Sequence, residues 1–166
     1  AMLYAKSKLQ WDNTLNMDEL LDDFFANYFD VSADTMREIF EEERRWLSHV
    51  YSDLGVSGKC QDNMMNAEYW SYPMLKRNME QFEEAYQEIE VYRETDPERY
   101  EQLHDRITLE NMQYRFLIIQ LFSSNYTADE LLNMKYAFKK DAEQLNMLVY
   151  KENTSVQRLW EEWGIK

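Results

Sequence analysis

Glycine and proline are nearly absent from this chain, and their scarcity restricts its fold more than any other feature. Only three glycines and two prolines occur in 166 residues, while Leu, Met, Glu, Gln and Lys, which favour helix, are abundant. Apolar residues recur at three- and four-residue spacing, and no stretch shows sustained period-two alternation. The sequence therefore predicts an all-α fold, an antiparallel helical bundle of about five to six helices.

Capping and breaking signals predict where the helices begin and end. Asn16 begins a helix over about 17–29, and Gly55 ends the next one, which starts near Ser32 or Asp34. Ser71 and Pro73 begin a helix that continues to about Arg93. Three further starts are predicted at Thr95, at Thr127 and near Thr154, with Gly164 ending the last helix. The seam predicted after Thr127 is Leu131, Met134, Phe138, Ala142, Leu145 and Leu148.

The net charge of −14 restricts the partners of the chain. A surface this negative repels nucleic-acid phosphates and anionic lipid head groups, so we expect neither nucleic acid nor membrane as a partner. The one candidate basic patch, Lys135, Lys139 and Lys140, is short and mixed with acidic residues. No apolar run approaches the length of a membrane span. The single cysteine, Cys60, excludes an internal disulfide and a thiolate metal cage.

Acidic residues are numerous but do not predict a catalytic site. The obvious carboxylate pairs, such as Asp22-Asp23 and Glu42-Glu43, are neighbours in sequence. Adjacent residues of a helix point about 100° apart and cannot converge on one substrate. Cys60 has no histidine near it in sequence, and no nucleophile elbow or phosphate-binding loop is present. We therefore predict no catalytic residue.

Two motifs approach the spacing of metal sites without completing it. Glu101 and His104 form one Glu-x-x-His, but a di-iron bundle needs two such motifs and two more glutamates. Residues 12, 14, 16 and 18 alternate like the start of an EF-hand loop, but Met17 occupies the position of the required glycine. We therefore predict no metal site and no cofactor.

The longest irregular stretch, residues 55–71, ends in a cluster of aromatic residues. Tyr69 and Trp70 could stack on sugar rings and are the only candidates for ligand binding. The same rings could equally pack the connection onto the bundle, and the packing interpretation is the favoured one. A connection of this length is either functional or a hinge.

A family resemblance covers about Lys8 to Phe40. The segments KLQWD (8–12), DELLDDF (18–24) and YF (28–29), with Ala33, Asp34, Met36 and Arg37 beyond them, carry it. They are similar to the C-terminal region of a family of largely uncharacterised bacterial proteins with glycoside-hydrolase-like barrels. That group resembles α-glucuronidases and β-hexosaminidases. The chain departs from the pattern at Asn13, where proline is expected, at Asp30, which replaces a glycine, and at Ser32, which replaces an alanine.

The resemblance implies that residues 1–11 are the tail of the last helix of a barrel and that residues 12–166 are a helical bundle, within a single helical domain. It also implies a function: a non-catalytic C-terminal domain of a carbohydrate-active enzyme, packed on the catalytic barrel, with a homodimer contact as a further role. Because barrel active sites lie on loops that follow strands, no catalytic residue of the family corresponds to a position here.

Two alternatives to this interpretation stay open. One is a free-standing acidic helical interaction module with a groove for a partner helix. The other is a sugar-binding module that uses Tyr69 and Trp70. In the interpretation as an enzyme domain, the amphipathic segment from Leu3 to Trp11 would pack on barrel helices, and its exposure without the barrel predicts self-association.

Overall fold

A computed structural model describes residues 1–56, 65–151 and 153–166 of the chain. Cys60 and the central part of the 55–71 connection lie outside these residues. The α-helices of the described part are α1 (Met2–Trp11), α2 (Met17–Phe29), α3 (Ala33–Ser52), α4 (Tyr72–Glu88), α5 (Pro97–Leu121), α6 (Ala128–Gln144) and α7 (Val156–Trp163). Short 3-10 turns occupy residues 30–32, 67–69, 89–92 and 123–125. The predicted all-α class is confirmed.

Contacts between side chains show that successive long helices run antiparallel. Thr35 near the start of α3 donates a 2.9 Å hydrogen bond to Glu88 at the end of α4. Glu42, further along α3, accepts one of 2.9 Å from Asn78, which precedes Glu88 in α4. The same opposed order relates α4 to α5 and α5 to α6, through the pairs Tyr86 with Thr108, Phe82 with Tyr114, Arg115 with Asp141, and Asp105 with Gln144.

The predicted helix starts are largely correct. The Asn16 side chain accepts hydrogen bonds from the backbone N–H groups of Asp18 and Glu19. Thr127 and Glu130 form the reciprocal capping box that the sequence predicts. Gly164, with φ near +67°, is the left-handed residue that ends α7, as predicted. Gly55 also has φ near +67°, but α3 already ends at Ser52, with Asp53 as its cap.

Three local predictions are wrong. Asp96 and not Thr95 caps α5, because its carboxylate accepts the backbone N–H of Arg99 at 3.1 Å. Thr95 instead donates to the carbonyl of Val91. The chain also contains a small antiparallel hairpin, β1 (Val149–Lys151) with β2 (Thr154–Ser155), where only helix and loop were expected. The predicted seam includes Leu148, but α6 already ends at Gln144. Leu148 therefore lies beyond the helix and is 78% exposed.

Two hydrophobic clusters share α5. The larger cluster joins α2, α3, α4 and α5 around fully buried residues such as Leu75, Phe82 and Ile107. The smaller cluster joins α5, α6 and α7 around Leu159 and Trp160. It also includes Met112 and Ile119 of α5, and Met134 of α6 contacts both clusters. The long fifth helix is thus buried on two sides.

Candidate interaction surface

The first helix is held to the bundle by α2. The ring of Tyr4 lies 5.6 Å from that of Phe24, and its hydroxyl donates a hydrogen bond to Asp23. Ala5 is fully buried. Since Tyr4 near the start of α1 contacts the second half of α2, the two helices form an antiparallel hairpin. The hydrogen bond to Asp23 raises the pKa of Tyr4, because it is lost when the hydroxyl ionises.

An adjacent side of α1 leaves apolar side chains in solvent. Leu3 is 85% exposed and Trp11 is 93% exposed. Ser7, also exposed, lies between them at four-residue spacing, so the three side chains share one side of the helix. We call Leu3, Ser7 and Trp11 the α1 face. Exposure of a whole indole in water is unusual, because tryptophan is on average a strongly buried residue.

The other tryptophans of the chain lie in different surroundings. Trp70, Trp160 and Trp163 are all buried. Trp46 is half-buried, and its indole N–H donates to the carbonyl oxygen of Tyr69 at 2.7 Å. Trp11 is therefore the one tryptophan of the five whose ring is available to another molecule.

Charge is segregated between the two helices of the hairpin. α1 carries Lys6 and Lys8, both exposed, and no carboxylate. The exposed acidic residues of α2 are Asp18, Glu19, Asp22 and Asp23. Asp18 and Asp22 lie 3.6 and 3.9 Å from Arg37 of α3, and Asp23 lies beside α1. A basic, apolar helix thus runs next to an acidic one on a chain that is strongly negative as a whole.

A cleft of about 420 Å³ is lined by residues of α3 and α4. It is lined by Arg37, Glu38, Glu41, Glu42, Arg45, Arg77 and Gln81. Most of these groups bind one another: Arg37 lies 3.0 Å from Glu41, and Arg77 pairs with Glu42. The lining contains no Met or aromatic residue, so the cleft does not match the apolar groove that recognises a partner helix. The pair of Arg77 with Glu42 connects α4 to α3.

Two side chains with polar groups are buried within the apolar seams of the helices. Asn78 is fully buried in α4, and its amide donates to Glu42 at 2.9 Å and to Gln81 at 3.3 Å. Tyr114, 3% exposed, donates from its hydroxyl to Glu43 at 3.1 Å. Burial, and then the charge of Glu43, raises the pKa of Tyr114. A single polar residue at helical spacing carries no signal that would separate Asn78 from the solvated positions.

The aromatic pair proposed for sugar stacking lies against the bundle. Trp70 is 7% exposed and belongs to the larger hydrophobic cluster. Tyr69 is half-buried and packs on the same cluster. These placements favour the packing interpretation, because stacking on a sugar needs an open ring face.

The remaining motifs of the sequence are dispersed in the structure. No group of three or more potential metal ligands converges among the described residues. His104 stacks near the rings of Tyr86 and Tyr100, at 5.0 and 5.8 Å. Asp12 accepts hydrogen bonds from the hydroxyl and the N–H of Thr14, which lower its pKa. Asn16 and Asp18 have the separate roles described above.

Two lysines of the candidate basic patch make separate local contacts. Lys135 donates to the carbonyl oxygen of Trp163 at 3.2 Å, and Lys139 lies 3.6 Å from Glu143. Among the described helices, none is long and apolar enough to cross a membrane.

Comparison with protein-family models, with curated proteins and with solved structures finds no match to this chain.

Proposed function

We propose that this chain is a non-catalytic helical interaction module, which acts by docking the α1 face on another protein surface. The observation that carries the proposal is the exposure of Leu3 and Trp11 on one side of one helix. Covering both side chains would contribute about 5 kcal/mol, before the costs of association. Tryptophan is also among the residues that most often dominate the energy of an interface.

The more specific form of the proposal is a C-terminal domain of a carbohydrate-active enzyme, with the α1 face packed on a preceding glycoside-hydrolase-like barrel. The resemblance over about Lys8 to Phe40 supports it. So does the attachment of α1, which contacts the bundle mainly through α2. The reading frame upstream of Met2 tests this form, since a barrel needs roughly 250 residues of alternating strands and helices.

The alternative form is a free-standing acidic interaction module. The segregation of Lys6 and Lys8 on α1 from the carboxylates of α2 supports it, because opposite charges placed side by side give an interface orientation and specificity. A reading frame that begins at Met2 would favour this form over the enzyme domain.

Quenching of tryptophan fluorescence by acrylamide tests the docking itself. In this chain, at about 1 μM, we expect an efficiently quenched component that Trp11→Phe removes. In the longest polypeptide that the gene encodes, or with a bound partner protein, we expect Trp11 to be protected. Trp46→Phe is the matched control, because Trp46 is already half-buried and bonded to Tyr69. Equal quenching of Trp11 in every one of these states would contradict the proposal.

A further inference from the structure

We infer that the α1 face is an interface with a second copy of this chain, in which α1 of each copy packs on α2 of the other. The inference rests on the proposed function, because it takes the α1 face to be a protein-docking surface, and it adds the identity of the partner. Its basis is that the two halves of such an interface, one apolar and basic and the other acidic, lie side by side in every copy.

The positions of the two helices make this surface continuous. Tyr4 lies on α1 next to the side that carries Leu3 and Trp11, and its hydroxyl binds Asp23 of α2. That hydrogen bond sets the exposed carboxylates of Glu19 and Asp23, one turn apart on α2, beside the α1 face. A partner that approaches the α1 face therefore also meets the acidic side of α2.

The charges of this surface are self-complementary. Lys6 and Lys8 have no salt-bridge partner among the described residues, and neither has Glu19. Lys6 and Lys8 flank the α1 face on its two sides, because residues two apart in a helix point about 200° away from each other. A two-fold axis that brings α1 of one copy onto α2 of the other places one of these lysines beside Glu19 of the partner, and the same contact occurs twice in a symmetric dimer. Leu3 and Trp11 of each copy would be covered in the same arrangement.

The size of the surface predicts a weak dimer. α1 is about 15 Å long, and two helices side by side are about 20 Å wide. The patch is smaller than the roughly 800 Å² that each partner contributes to a standard interface. We therefore expect monomers at about 1 μM and dimers at roughly tens to hundreds of micromolar.

Sedimentation equilibrium of the 166-residue chain from about 5 to 500 μM, with charge-reversal variants, tests this inference. We expect the fraction of dimer to rise with protein concentration. A chain with both Leu3→Ser and Trp11→Ser should need at least a tenfold higher concentration to reach the same fraction of dimer. Leu148→Ser is the matched control, since Leu148 is 78% exposed and lies on the hairpin near α7, far along the chain from α1.

The charge reversals test the pairing of α1 with α2. Lys6→Glu with Lys8→Glu, in one chain, and Glu19→Lys, in another, should each abolish the homodimer. An equimolar mixture of the two variants should restore a dimer. Circular dichroism and thermal unfolding of each variant show that the bundle is intact before its association is measured.

Three results would overturn the inference. They are a wild-type chain that is monomeric at 500 μM, a dimer that only Leu148→Ser weakens, and a mixture of charge variants that does not associate. If the chain stays monomeric while Trp11 becomes protected from acrylamide in the longer polypeptide or with another protein, the second copy is excluded and the docking function stands. If Trp11 is unprotected in every state, both proposals fail.

Discussion

Tyr114 packs its ring in the larger cluster and donates a hydrogen bond from its hydroxyl to Glu43. Replacement by phenylalanine removes only the hydrogen bond. In Tyr114→Phe the ring stays in the larger cluster, but Glu43 loses the donor that lies 3.1 Å away. We expect the free energy of unfolding at pH 7 to fall by about 1.5 kcal/mol, the usual value for a hydrogen bond to a charged group. Urea unfolding followed by circular dichroism measures it.

The same variant gives an expected pH dependence. Burial raises the pKa of Tyr114 in the folded chain above its ordinary value of about 10. The hydroxyl therefore contributes its full stability below pH 10, and this contribution is lost as the pH rises above 10. The difference between the wild type and Tyr114→Phe should shrink there. Tyr136→Phe is the control: Tyr136 is 46% exposed, so its change should stay within about 0.5 kcal/mol.

Individual residues were predictable where a local pattern determines them. The seam through Leu75, Phe82 and Ile89 follows from helical spacing alone, and all three are fully buried. Asn78 was not predictable, because its burial depends on Glu42 of another helix. The exposure of Trp11 also depends on tertiary structure, since α2 covers only one side of α1.

Helix capping gives the clearest prediction for a single element. Thr127 accepts the backbone N–H of Glu130, whose carboxylate in turn accepts the N–H of Thr127 at 2.8 Å. We expect Thr127→Ala to lower the free energy of unfolding by about 1 kcal/mol, because α6 then begins with unsatisfied donors. Ser155→Ala is the matched control: Ser155 holds the same position before α7, but its side chain makes no capping hydrogen bond. An equal loss in the two variants would contradict the role of the box.

Helix ends were predictable to within a few residues, but the hairpin was not. Caps such as Asn16 and Thr127 act on their own next three residues, so the sequence contains the whole signal. β1 and β2 have three and two residues, too few for alternation to be detected. The cap of α5 was misplaced by one residue because Thr95 and Asp96 both suit a cap, and the turn decides between them.

The fifth helix carries apolar residues on two sides, so a single apolar seam describes only part of its buried surface. An apolar stripe through Leu103, Ile107 and Leu117 lies in the larger cluster. Met112 and Ile119, on another side of the helix, lie in the smaller cluster against α6 and α7. A helix between two layers needs apolar residues on two sides, and a search for one stripe finds only the stronger.

At the scale of the whole molecule, the charge of the chain works against the association that its first hairpin favours. Each copy carries a net charge of −14, so two copies repel each other over long distances. Contacts between Lys6 or Lys8 and α2 of a partner would act only at short range. Salt separates these effects, since the Debye length falls from about 30 Å at 0.01 M to about 8 Å at 0.15 M.

We therefore expect the fraction of dimer to rise when salt is increased from about 10 to 150 mM at pH 7.5. The reason is that added salt screens the long-range repulsion before it weakens contacts at about 4 Å. Sedimentation equilibrium at one protein concentration measures this fraction. The chain with Lys6→Glu and Lys8→Glu is the control and should stay monomeric at both salt concentrations. Association that is strongest at 10 mM would contradict this balance. It would show that attraction between the oppositely charged helices outweighs the repulsion of two acidic molecules even where screening is weakest.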